Sequence, residues 1–252
     1  TGTHRPLAEA ELRRLLDPRV FERGIPILNH EAGFRAGLVP LGTTSQGEKV
    51  LINRRYLEAG LRVLTGLVES HFLAGVSGGR KSICPGLIGE ESTYRFHGAR
   101  MLDDPQARDL NLDGNPCHEQ ALEVARLAGA DFILNATLDQ DLRLTGVFAG
   151  ELEAAHRAAF AFLCGYVRVP FPRAEPYDAV VTHAGFVGIN HYQSVKAALA
   201  ALPAIRRGGR LLILAANTDA DRIGSPRYRS LLGLLTQVGA ERFRRLVFSP
   251  DW

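Results

Sequence analysis

Apolar and polar positions along this chain follow two rhythms. "LAEAELRRLLD" (7–17) repeats its apolar residues at the three-to-four spacing of a helix with one buried stripe. "PILNH" (26–30) and "KVLINRRYLEA" (49–59) are short apolar runs of strand type that give way to polar turns. "LRVLTGLVES" (61–70) then carries the chain into a glycine-rich loop. "PCHEQALEVARLAG" (116–129) predicts a second helix, with Pro116 where the first turn tolerates it. A buried strand is expected over "ADFILNATLD" (130–139), followed by "TGVFAG" (145–150) and an alanine-rich helix from 151 to about 166.

The rhythm breaks at "VRVPFPRAEPYD" (167–178), where three prolines fall within seven positions and an interdomain linker is expected. Beyond it come "AVVTH" (179–183), a helix over "YQSVKAALAAL" (192–202), "GGRLLILAA" (208–216) and a last helix near 227–238. This β-α-β-α alternation predicts a doubly wound sheet. The fold class is therefore α/β, with two α/β domains joined by a Pro-rich linker: 1–168, a linker over 169–177, and 178–252. No internal repeat interrupts the pattern.

Composition narrows the function classes. A chain of 252 residues, 46% hydrophobic and 23% charged, can bury a sizeable core. The formal charge of +3 comes from scattered arginines, which argues for neither nucleic acid nor a membrane surface as partner. No apolar run reaches the roughly 18 residues of a spanning helix, and no signal peptide is visible. Cys84, Cys117 and Cys164, odd in number and without metal-ligand spacing, suit a reducing cytoplasm and small buried hydrophobes. The chain opens on "TGTHRP" without a methionine and closes on "VFSPDW", so it is expected to be a fragment.

The basic residues are almost all arginine; Lys49, Lys81 and Lys196 are the lysines. Where arginine serves as the general cation, a lysine stands out for what a guanidinium cannot do, which is to lose its proton. His4, His71 and His97 lie in or beside loops, where acid/base or metal chemistry competes with simple bonding to nearby backbone. His118 reads as an N-terminal helix residue, and His30, His156, His183 and His191 form no constellation.

The loop "VSGGRKSICPG" (76–86) resembles a phosphate loop with Arg80 where the Walker turn needs glycine. Ser77, Gly78 and Gly79 can expose successive N–H groups as an anion nest, and Lys81 and Ser82 add a charge and a hydroxyl. Arg80 and the lack of a magnesium-binding aspartate after a later strand argue against an ATPase. Phosphate binding and a plain tight turn both remain open at this level.

"GLVESHFLAGVSGGRKSICPGLIG", then "YRFHG", "GNPCHEQALEVA", "DFILNATLD", "GVFAGELEAAH" and "YQSVKAA", resemble in order and spacing the nickel-dependent lactate racemase family. The resemblance runs from Gly2 to Lys196 and more weakly beyond. It implies that 1–168 is the C-terminal part of an N-terminal catalytic, cofactor-binding domain and that 178–252 is a truncated C-terminal domain. Lys81 matches the lysine that carries a nickel-pincer nucleotide (nickel pyridinium-3,5-bisthiocarboxylic acid mononucleotide), with Ser77, Gly78 and Gly79 receiving its phosphate. His97 matches the histidine that completes nickel coordination. A soft site with one imidazole also suits Ni(II) on ligand grounds.

His4 and His71 match the catalytic pair that exchanges a proton with the substrate hydroxyl, one from each face. The α-hydrogen is expected to leave as hydride to the cofactor. Tyr192, Gln193 and Lys196 match a substrate-binding Y-Q-x-x-K element whose lysine pairs with the carboxylate. The implied activity is that of an isomerase, a racemase or epimerase of a 2-hydroxy acid, with cofactor-maturation proteins as partners. The family's upstream Asp-His-Thr-Arg element would lie before Thr1. "HAGFVGIN" (183–190) lacks the proline and aspartate of the lactate enzymes, which leaves the particular 2-hydroxy acid open. The competing expectations are a non-catalytic nucleotide-phosphate-binding module and a zinc hydrolase; the latter lacks any H-x-x-x-H spacing.

Overall fold

A computed structural model describes residues 2–170 and 175–249. The chain divides into two compact units, Thr1–Val167 and Arg168–Trp252. The predicted linker (169–177) lies partly outside the described residues. Among those described, no helix is long and apolar enough to cross a membrane.

The first unit runs α1 (Glu9–Leu15), α2 (Pro18–Glu22), β1 (Leu38–Thr43), β2 (Lys49–Asn53), α3 (Arg54–Glu58), β3 (Val63–Leu67), β4 (Ser70–His71), β5 (Gly75–Val76), α4 (Glu90–Phe96), α5 (Ala99–Asp103), α6 (Pro116–Ala128), β6 (Phe132–Leu138), β7 (Leu144–Gly150) and α7 (Leu152–Val167). Its main sheet is ordered β3-β6-β7, with β6 parallel to β3 and antiparallel to β7. A parallel pair needs a crossover, and α6 belongs to the one that joins β3 to β6. Asn115 fixes its start by accepting from the N–H groups of Cys117 and His118 at 3.0 and 3.2 Å. The apolar stripe of α6, with Val124 and Ala125, meets Val50 and Ile52 of β2, Leu64 of β3 and Ile133 of β6 in one core. Ile83, Cys84 and Ile88, from the segment after the glycine loop, are fully buried in the same cluster. The loop is thus fastened to the core at its C-terminal end.

Three local expectations change. The run 26–30 is not a strand: Pro26 cannot donate to a ladder, and buried His30 instead meets the Ile88 carbonyl, Nε2 to O 3.0 Å. After β2 the polar turn is a short helix, α3, because Asn53 caps it by accepting from Arg55 N–H at 3.0 Å. Strand β6 is buried on one face only. Ile133, Asn135 and Thr137 point inward, while Phe132 and Leu134 are exposed.

The second unit contains β8 (Tyr177–His183), α8 (His191–Ala201), β9 (Ile205–Leu214), α9 (Pro226–Val238) and α10 (Ala240–Val247). Strands β8 and β9 are parallel with α8 between them in sequence, the β-α-β order of a doubly wound sheet. The last helix expected near 227–238 is α9, and α10 after it was not expected. Gly239 divides them, ending α9 and standing as N-cap of α10.

Candidate active site

The glycine loop is built around two successive left-handed residues, Gly78 (φ 72°) and Gly79 (φ 51°), a turn that side chains disfavour. They lead into a 3₁₀ turn over Gly79–Ser82. The loop is bonded to the strand end before it and to β6. Ser77 N–H donates to the Glu69 carbonyl at 2.9 Å, its hydroxyl to the Leu67 carbonyl at 2.8 Å, and Gly79 N–H to Asn135 Oδ1 of β6 at 2.8 Å. Two of the three N–H groups expected to form an anion nest are therefore already committed to protein acceptors.

Arg80, which removes the Walker glycine, turns inward and is 1% exposed. Its Nη2 donates to the Ala74 carbonyl at 2.7 Å. Nη1 lies 3.4 Å from the Gly78 carbonyl and 3.0 Å from His156 Nε2. Burial pushes this guanidinium down to about 9, and it is still protonated at neutral pH. His156 Nε2 also lies 2.9 Å from the Ser77 carbonyl, so it stands between an acceptor and the Arg80 donor. Burial first, and the Arg80 charge second, push His156 down to about 4. His118 on α6 stacks on His156 with centroids 6.3 Å apart and is pushed down to about 3, by burial before the charges of Arg80 and His156. Both rings are neutral and act as packing beneath the loop.

Above this support the structure brings Lys81 and His71 together, Nζ to Nε2 3.3 Å, both half-buried. His71 Nδ1 faces the backbone N–H groups of Leu73 and Ala74 at 3.2 and 3.1 Å. His4 is exposed; the tail that carries it is tied to the far end of the loop by Gly2 N–H donating to the Gly86 carbonyl at 2.8 Å. His97 is the C-cap of α4, half-buried, with Nδ1 3.1 Å from the Thr93 carbonyl. Since that oxygen only accepts, Nδ1 holds the proton and Nε2 keeps its lone pair, the tautomer a metal ligand needs.

In the second unit, Tyr192, Gln193 and Lys196 lie at the start of α8. Asn190 caps this helix by accepting from Gln193 N–H at 3.0 Å. Lys196, one turn after Tyr192, places its ammonium 5.2 Å from the Tyr192 ring centroid. Burial lowers the Lys196 pKa, and among the described residues no carboxylate pairs with it.

Arg80, His156 and Asn135 were missed as parts of the site. Arg80 was visible as an anomaly in the loop, but nothing in its neighbourhood points to His156 or Asn135, which are 76 and 56 positions away from their loop partners.

Residues 1–109 match the lactate racemase N-terminal domain family. The chain is 34% identical over 220 residues to a lactate racemase of Lactiplantibacillus plantarum, covering 87% of this chain and 51% of that protein. It is also 34% identical over 221 residues to one of Thermoanaerobacterium thermosaccharolyticum, with the same coverage. The chain thus spans about half the length of the curated relatives it matches. Among solved structures, the lactate racemase apoprotein of T. thermosaccharolyticum superposes with a TM-score of 0.88 at 30% identity, over 97% of this chain and 57% of that one. A Thermotoga maritima protein shares the fold, with a TM-score of 0.59 at 19% identity over 98% of this chain and 67% of that one.

Proposed function

We propose, on the premise that residues 1–109 belong to the lactate racemase N-terminal domain family, that this chain carries the reaction centre of a 2-hydroxyacid racemase or epimerase. The observation that carries the reading is the pairing of Lys81 with His71, 3.3 Å apart, on a loop braced from below by a buried guanidinium. The alternative of a bare phosphate-binding module is less well supported, because the N–H groups of Ser77 and Gly79 are committed to Glu69 and Asn135.

The donor set fits a nickel-pincer nucleotide held by Lys81. Among the described residues no three His, Cys, Asp or Glu side chains gather as a metal site, and an ion brought by such a nucleotide would need a single protein ligand. His97, with Nδ1 turned to the Thr93 carbonyl, would present Nε2 as the one protein ligand. When bound, the cofactor supplies a hydride acceptor for the α-hydrogen of the substrate.

The chain's own residues do the rest. His4 and His71 exchange the hydroxyl proton, one for each enantiomer, since inversion needs a partner on either face. To take a proton at Nε2, His71 must turn off the N–H groups of Leu73 and Ala74. Gln193 and Tyr192 orient the substrate, and Lys196 holds its carboxylate as a charge-assisted pair. Gly78 and Gly79 let the loop that carries Lys81 pack directly on Asn135 and His156, and Arg80 braces it from below.

The test uses the full chain co-expressed with the cofactor-making proteins and given lactate deuterated at the α-carbon. Racemisation with the label retained is the expected outcome, together with a mass increment on Lys81 that Lys81→Arg abolishes. Loss of label to water, or unchanged turnover by Lys81→Arg, overturns the reading.

A further inference from the structure

His71 stands on β4 with both ring nitrogens engaged. A backbone N–H can only donate, and two of them, from Leu73 and Ala74, point at Nδ1 from 3.2 and 3.1 Å. Nδ1 therefore presents its lone pair, and the proton of the neutral ring is on Nε2. An imidazolium is disfavoured in this setting because its Nδ1–H would meet those two donors head on. The atom facing Nε2, 3.3 Å away, is Lys81 Nζ. An ammonium has three donor hydrogens and no lone pair, so it cannot accept from Nε2–H; a neutral amine can.

We infer that His71 has a role before any turnover: it is the positioning residue that holds Lys81 as a neutral amine, so that this lysine reacts with an activated acyl compound. The choice of electrophile rests on reading Lys81 as the attachment point. The surroundings act in the same direction. Around the pair stand Arg80 beside Lys81 in the loop, Cys84 at the loop's end, Cys117 on α6, and Asp109, which accepts from the His71 backbone N–H and the Ser70 hydroxyl and whose carboxyl pKa burial raises. Arg80 is a buried cation and repels a second one. Burial pushes the thiols of Cys84 and Cys117 up, the latter to about 11, so both are neutral at physiological pH.

The step balances without a redox partner. The Nζ lone pair attacks the acyl carbon, a C–N bond forms, and the bond to the leaving group breaks. The leaving group departs with the bonding pair and takes the proton lost by nitrogen. Once Lys81 is an amide, its nitrogen no longer accepts from His71, and Nε2 becomes available to face substrate. One imidazole thus serves the loading step first and turnover afterwards.

The experiment uses the full chain made without the cofactor genes, so its outcome is separate from the fate of the racemase reading. With three lysines in the chain, ¹³Cε-lysine NMR resolves each one. Lys81 is expected to titrate on the order of one or more pH units below exposed Lys49. At neutral pH, N-hydroxysuccinimidyl acetate should acetylate Lys81 about tenfold or more faster than Lys49, read by peptide mass. His71→Leu should raise the Lys81 midpoint and remove the rate advantage. A wild-type Lys81 that titrates with or above Lys49, a measurement needing no variant, overturns the inference. So does a Lys81 midpoint that His71→Leu leaves in place in a folded protein.

Discussion

Replacing Gly79 by alanine tests whether the loop is held by the ring beneath it. Two costs are expected. The residue's φ of 51° is left-handed, which costs a side chain about 1–2 kcal/mol. The new Cβ would also stand 2.6 Å from Cδ2 and 2.7 Å from Cγ of His156. Carbon atoms prefer about 3.5–4.0 Å, so ring or loop must move by about 1 Å. The ring cannot yield cheaply, being 2% exposed, bonded to the Ser77 carbonyl and stacked on His118. Overpacking of this kind costs about 1–3 kcal/mol, for a total of about 2–5 kcal/mol. Gly47→Ala is the control, because Gly47 has φ 81° but no heavy atom within 4 Å of its would-be Cβ. It should show the backbone cost alone. Urea unfolding of both variants, with hydrogen exchange of the α6 and β6 peptides to report on the first unit, measures the difference. If Gly79→Ala destabilises no more than Gly47→Ala, His156 is not fixed under the loop and the account of Arg80 and His156 as its support fails.

Two further outcomes follow from the buried and half-buried bases. His118 and His156, pushed down to about 3 and about 4, stay neutral in the folded chain while unfolded histidine binds a proton near 6.5. The unfolded state therefore binds more protons below that pH, and stability falls as pH drops from about 6.5 towards 3, by up to roughly 1.4 kcal/mol per pH unit for each ring. His118→Gln should flatten the acid limb of a urea-midpoint profile by up to one proton, and an unchanged slope refutes the assignment. In the second unit, burial lowers the Lys196 pKa, so a carboxylate held there should be released as pH rises, below the ordinary lysine range. KM of the loaded chain should rise on that alkaline limb, and Lys196→Met should raise KM at neutral pH while changing kcat less. A variant with unaltered KM removes Lys196 from the substrate site.

Local chemistry made much of this protein legible from its residues alone. The helical spacing of α6 and α7 is visible because each buries a stripe, and Pro116 and Asn115 mark the start of α6 whatever it packs against. The β-α-β order of the second unit appears as alternating period, and the SGGRK loop with His71 ten residues earlier is contiguous enough to be recognised as a block. The tertiary structure decided what depends on residues far apart in the chain. It turned 26–30 from an apparent strand into irregular backbone, since a strand needs a partner edge that periodicity does not reveal. It left one face of β6 exposed, because which face is covered is set by what packs there and not by the run of apolar residues. Arg80 became the underside of the loop because an inward turn places it against His156, and the Ser77 and Gly79 N–H groups were drawn to Glu69 and Asn135 rather than left for an anion. The tautomer of His71 belongs to the same class: a histidine's type is written in the chain, but which nitrogen holds its proton is fixed only by the donors and acceptors that folding brings to each side of the ring.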